Sequence, residues 1–181
     1  YPSDANLIAF RNGILNINTM ELLSFSPEYT ITNMIPWDYN ANAYDQTLDD
    51  ALNQWSCDDP DIRSLLEECV GYCLYRRNNL DKSFILTGQG ANGKSTFLDM
   101  VKALLTIKNY SALDLCEMDD KFSTVMMSGK LANIGDDISG VYEEDPGSFD
   151  VTGTTAAGET TFSCRGDADE SIVYVMNWSS G

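Results

Sequence analysis

The sequence predicts an α/β fold: a parallel sheet with helical crossovers, incomplete on its C-terminal side, preceded by a smaller, mostly helical domain that carries a β-hairpin. Three observations predict it. From residue 82 onward short apolar runs alternate with amphipathic stretches, the rhythm of strand–helix units. A glycine-rich segment lies between one such run and one such stretch. Upstream, residues 46–75 place apolar side chains at helical spacing. The expected division is residues 1–80 and residues 81–181.

Residues 7–17 read LIAFRNGILNI, two apolar stretches around Asn12-Gly13. Both of those residues tolerate positive φ, so a hairpin is expected to turn there. The stretch to Tyr44 mixes Pro27, Pro36 and several Asn residues and reads as loops and short strands. Leu48, Leu52 and Trp55 recur at helical spacing. A second helix is expected from Pro60 to about Tyr75, with Asp59 as N-cap and Pro60 in the first turn. Ile62, Leu65, Leu66, Cys69, Val70, Cys73 and Leu74 form its apolar stripe. Arg76 and Arg77 close this helix, where cations complement the helix dipole; contact with a phosphate backbone is the other reading.

Residues 83–87, SFILT, read as a short buried strand. A helix follows from Lys94 to about Ile107, with Phe97, Leu98, Val101, Leu104 and Leu105 inward. Residues 112–115 suggest a second strand. Phe122, Val125 and Met126 suggest a short helix. Residues 131–135 and 172–176 suggest two further strands.

Composition narrows the functions available. Of 181 residues, 43% are hydrophobic, which suits a packed globular chain. No apolar run approaches the roughly 18 residues that span a bilayer, so no membrane partner is expected. Tyr1 is not a start methionine, and the sequence reads as a fragment of a longer protein. Histidine is absent, which removes Ser-His and Cys-His nucleophile pairs and the usual zinc ligands. Five cysteines, an odd number without CxxC spacing, fit reduced thiols in a cytoplasmic protein. Cys69 and Cys73, four apart on one helix face, read as small buried apolar residues. The net charge of −17 opposes approach of a nucleic acid backbone.

The chemistry concentrates in Gly88-Gln89-Gly90-Ala91-Asn92-Gly93-Lys94-Ser95, with Thr96 following. This is the G-x-x-x-x-G-K-[ST] pattern of a P-loop. Its glycines let backbone N–H groups converge on phosphate oxygens. The helix that starts near Lys94 aims its positive end at the same anion. In this pattern Lys94 reaches the β- and γ-phosphates and the Ser95 hydroxyl ligates Mg²⁺. The expected ligand is ATP with Mg²⁺. Downstream, Asp136 and Asp137 end a mostly apolar run, LANIG. The first acid is expected to hold Mg²⁺ and the second to polarise the attacking water. Asn177 ends the last apolar run and is expected to hydrogen-bond the γ-phosphate or that water. Taken singly, an Asp pair also caps turns, and an Asn also ends strands.

Together these residues resemble the superfamily III helicases of viruses, phages and plasmids. The likeness is closer to the phage and plasmid primase-helicases with a poxvirus-type N-terminal helicase domain. It rests on AFRNGILNINT, FSPEYTITNMIPWDYN and LLEECVGYCLY in the first part. In the second it rests on FILTGQGANGKSTFLDM, GKLANIGDDIS and VYVMN, with Asn92 before Gly93 typical of the group. The resemblance implies an AAA+-like P-loop NTPase fold. It implies Lys94 and Ser95 as phosphate and Mg²⁺ residues, Asp136 and Asp137 as the acidic pair, and Asn177 as the sensor. It implies a ring, usually a hexamer, that couples ATP hydrolysis to DNA unwinding in a bacterial host cell, phage- or plasmid-encoded.

Two departures bear on function. The family places basic residues on a hairpin between the acidic pair and the sensor strand. Residues 131–181 contain no Lys, one Arg (Arg165) and ten acids, a segment that repels a polyanion. The family's arginine for the neighbouring subunit's nucleotide follows the sensor strand, so it is expected beyond residue 181 and is not Arg165. DNA is therefore a partner expected of the parent protein rather than of this chain alone. Two alternatives remain: a non-catalytic nucleotide-binding fragment or degraded prophage product, and a P-loop phosphotransferase, for which no Arg-rich lid is visible.

Overall fold

The computed structural model describes residues 5–77, 82–86, 92–113, 123–135, 148–155, 158–165 and 173–177. It is a mixed α/β structure. The first sheet joins β1 (Leu7–Phe10), β2 (Gly13–Asn16), β3 (Glu21–Leu23) and β4 (Met34–Ile35) in the order β3-β2-β1-β4. Side chains alternate along these strands and serve two clusters. Ile8, Phe10 and Leu15 enter the main core, while Leu7, Ala9 and Ile14 pack on the other face beside Leu23, Tyr29 and Ile31. Residues 7–10 are consequently buried on both faces.

The hairpin turns one residue earlier than its sequence suggests. Phe10 pairs with Gly13, which leaves Arg11-Asn12 as the two-residue loop. Tertiary partners hold both. Arg11 makes a two-pronged ion pair with Asp38, 2.8 Å at each contact. The Asn12 amide exchanges hydrogen bonds with the Tyr39 backbone at 2.9 and 2.8 Å. Gly13 instead starts β2 at φ +155, and a Cβ there would meet the Leu23 carbonyl oxygen at 2.7 Å.

The two expected helices form, as α1 (Gln46–Trp55) and α2 (Pro60–Leu74). Asp45 caps α1 through the Leu48 N–H, and Asp59 caps α2 through the N–H groups of Asp61 and Ile62. The buried stripe of α2 is narrower than expected. Leu66, Cys69, Tyr72 and Cys73 are buried, whereas Ile62 and Leu65 stand exposed, because α2 meets the core along its C-terminal half. The helix is closed by Tyr75, so Arg76 and Arg77 lie past the cap rather than in the last turn. Arg76 is turned partly inward, its Nη1 buried without a hydrogen-bond partner among the described residues. That burial lowers its pKa.

The second sheet contains β5 (Ser83–Leu86), β6 (Tyr110–Ser111), β7 (Ala132–Gly135) and β10 (Val173–Asn177), ordered β5-β10-β7-β6. It is mixed, not parallel. β6 runs parallel to β7, but β10 runs antiparallel to both β5 and β7. The connection explains the difference. A parallel return needs a crossover, usually a helix. Here the described part of the connection is a hairpin, β8 (Ser148–Thr155) and β9 (Gly158–Arg165), and β10 starts beside the end of β7.

The helix α3 (Lys94–Leu105) packs Phe97, Leu98, Val101 and Leu105 into the core. A strand forms at Tyr110–Ser111; of the strand expected at residues 112–115, Ala112 and Leu113 follow it without strand structure, and residues 114 and 115 lie outside the described residues. The expected short helix is a 3₁₀ turn, Ser123–Met127, in which Met127 is fully buried and Val125 and Met126 are exposed. One apolar core runs through both halves of the chain. It joins Ile8, Phe10 and Ile35 to Leu66, Cys69, Phe97, Val101, Leu131 and Ile134.

Candidate functional site

The glycine-rich segment follows β5 and opens α3. Gly88, Gln89, Gly90 and Ala91 lie outside the described residues. Asn92, Gly93, Lys94, Ser95 and Thr96 lie within them. Gly93 is the N-cap of α3, in the left-handed region at φ 89° and ψ 1°, and no side chain caps the helix. As N-cap, Gly93 offers no side-chain acceptor to the leading N–H groups of α3, and a helix start of this kind is suited to an anion. Ser95 and Thr96 are exposed in the first turn, and Lys94 donates a 2.8 Å hydrogen bond to Asn92 Oδ1.

A second constraint acts on Gly93. A Cβ at this position would come within 2.6 Å of Trp55 Cδ1 and closer still to Nε1. Trp55, the last residue of α1, also meets the Phe97 ring edge-on, with centroids 5.8 Å apart and planes at 83°. Glycine is therefore required twice over, by backbone conformation and by the indole.

β5 and β7 are both antiparallel to β10, so they point the same way. Leu86 pairs with Val173 and Gly135 with Tyr174, at one end of the sheet. The chain leaves that end toward Gly88 from β5 and toward Asp136 from β7. Asp136 and Asp137 themselves lie outside the described residues. Asn177 pairs with Ala132, at the opposite end of the sheet. At about 3.3 Å per residue, four residues separate it from the Val173 level by roughly 13 Å. Because β10 runs against its neighbours, Asn177 lies at the end of the sheet opposite Leu86 and Gly135.

Asn133 is a polar residue that sequence reasoning passed over. It is fully buried in β7, where its Oδ1 accepts from Ser111 Oγ at 2.8 Å and from the Leu113 N–H at 2.9 Å. Its Nδ2 donates to the Leu113 carbonyl at 2.9 Å. This ties the strand that leads to Asp136 to the segment after β6. A lone amide inside the apolar run LANIG was the available signal.

Metal and membrane features are sparse. Among the described residues, which do not include Asp136, no cluster of His, Cys, Asp or Glu could hold a metal ion. No helix among them is long and apolar enough to cross a membrane.

The structure thus defines a mixed α/β protein with a glycine-capped helix start behind a G-x-x-x-N-G-K-S segment. Residues 1–71 match a family described as D5 N terminal like, and residues 86–155 match a family of unknown function (DUF5906). The first match relates the chain to the phage and plasmid primase-helicases. No curated protein matches the chain.

Proposed function

We propose that this chain binds ATP with Mg²⁺ on residues 88–95 and belongs to the ATPase core of a phage or plasmid replicative DNA helicase. The observation that carries the reading is the start of α3: a left-handed glycine cap with no side-chain acceptor, immediately before Lys94 and Ser95. The chain's own part in binding is positional. Gly93 opens the first-turn N–H groups, Lys94 supplies a cation beside them, and Ser95 presents an exposed hydroxyl suited to a Mg²⁺ ion. Asp136 and Asp137, one residue and two beyond β7, are the acids proposed for Mg²⁺ and for water activation. The bound triphosphate supplies the cleavable phosphoanhydride. Assembly into a ring belongs to the same proposal.

Titration calorimetry tests the binding step. Wild type is expected to bind ATP·Mg²⁺, and Lys94→Ala to lose most of that affinity. Equal affinity in the two proteins overturns the reading. A second reading, a nucleotide-binding fragment without DNA grip, is favoured by one observation. The hairpin β8–β9 carries Asp150, Glu159 and Arg165 as its only charged residues, too little positive charge to hold a phosphate backbone. Binding without turnover, with or without added DNA, supports this second reading.

A further inference from the structure

The helix that opens with the phosphate segment is held at both ends by tryptophans from the N-terminal part of the chain. At its C-terminal end, Trp37 Nε1 reaches the carbonyl oxygens of Ala103 and Leu104, at 3.3 and 3.1 Å. At its N-terminal end, Trp55 occupies the space that a side chain on Gly93 would need and braces Phe97 one turn on. Phe97 is itself almost fully buried, so the indole rests on a fixed partner. Gly93 accepts the Phe97 N–H on its carbonyl at 2.9 Å, but its φ of 89° lies where a glycine has wide torsional freedom, and it has no side chain with which to cap the helix.

We propose that Trp55 is a positioning residue for Gly93 and the start of α3, and that through it the N-terminal region sets the affinity for a nucleoside triphosphate. This rests on the nucleotide-binding reading above. The indole limits the conformations open to Gly93 and so preorganises the N–H groups that meet phosphate. Without that restraint, Gly93 pays its ordering entropy on binding. The coupling also runs the other way: occupancy of the phosphate site changes the surroundings of the indole.

The test uses the full chain with ATP·Mg²⁺ as probe, well below the melting temperature. Calorimetry on wild type, Trp55→Phe and Trp55→Ala measures affinity, and circular dichroism checks folding. Misplaced loops cost rate or affinity steeply, so Trp55→Ala is expected to bind about tenfold more weakly, with Trp55→Phe recovering part of the loss. In a Trp37→Phe, Trp178→Phe background, the emission of Trp55 is expected to change on saturation with ATP. A merely structural role lowers the melting temperature of Trp55→Ala but leaves its affinity and the Trp55 emission response unmoved; that result overturns the proposal. If Trp55→Ala fails to fold, Trp55→Phe affinity and the emission change decide. If wild type binds no ATP, the nucleotide reading fails first and the proposal falls with it. ATP binding that is indifferent to Trp55 sinks only the present inference.

Discussion

Single residues here do work that depends on their surroundings more than on their type. Gly13 and Gly93 are both glycines in β- or helix-starting positions, yet different groups demand them: the Leu23 carbonyl oxygen in one case and the Trp55 indole in the other. Gly13→Ala is expected to destabilise the fold by roughly 1–3 kcal/mol, since the Cβ faces backbone that cannot swing aside. Urea denaturation with unchanged slope checks it; a wild-type midpoint would show that β3 yields. Asn133 is the opposite case, a polar side chain whose partners make its burial tolerable. Asn133→Ala removes the amide partner of the Ser111 hydroxyl and of the Leu113 backbone. A loss of roughly 1–3 kcal/mol is expected in the same assay, larger than for an exposed asparagine such as Asn42.

At the scale of elements, α2 shows how burial tunes chemistry. Cys69 and Cys73 are free thiols on its buried face, while Cys57, before the helix, is exposed. The hydrogen bond with Cys69, followed by burial, pushes the Cys73 thiol pKa well up. A raised folded pKa favours the neutral thiol in the fold. The resulting stability is complete below the unfolded thiol pKa and is lost as pH climbs through that value toward the folded one. Native alkylation at pH 8 should therefore modify Cys57 and spare Cys69 and Cys73 until denaturant is added. Peptide mass mapping reads this directly; rapid native labelling of Cys73 would mean that α2 opens readily. The strands carry a different lesson. β10 has the apolar character of a buried central strand, and it does lie between β5 and β7. It runs antiparallel to both, and that direction puts Asn177 at the level of Ala132, at the end of the sheet opposite Leu86 and Gly135.

For the whole molecule, charge is the dominant long-range property. At −17 over 181 residues the chain repels a polyanion, most strongly where salt screening is weakest. Labelled single-stranded DNA is expected to show no saturable binding at micromolar protein and about 20 mM salt, where a cationic groove would bind best. Anisotropy titration checks this. Tight binding that weakens steeply with added salt would reveal a local basic surface that the net charge conceals. Packing is the second global property. The main core takes residues from both sides of residue 80, and Asn33 reaches the Gly129 carbonyl at 2.6 Å while Asn109 reaches that of Met34 at 2.9 Å. The helix α3 is thereby mounted on a body to which the N-terminal region contributes directly.

The sequence by itself determined whatever local rules govern. Asp59-Pro60 marks a helix start because the cap and the fixed proline φ act within one turn, and α2 begins there. The glycines before Lys94 predict backbone that a side chain would hinder, and Gly93 adopts the left-handed conformation at the head of α3. The alternation in residues 7–16 announces strands with two distinct faces. The tertiary structure decided what depends on partners distant along the chain. The first hairpin turns at Arg11-Asn12 because Asp38 and Tyr39 hold those side chains, an attraction that no window around residue 12 contains. β10 pairs antiparallel with both β5 and β7, although its composition would serve either direction. Trp55 reads in sequence as one more apolar position on a helix; only packing places its indole on Gly93, 38 residues away in number and in direct contact in space. Local torsional preferences act over a few residues and are written in their order, whereas register, strand direction and buttressing are set by contacts whose energy exists only once the chain has folded.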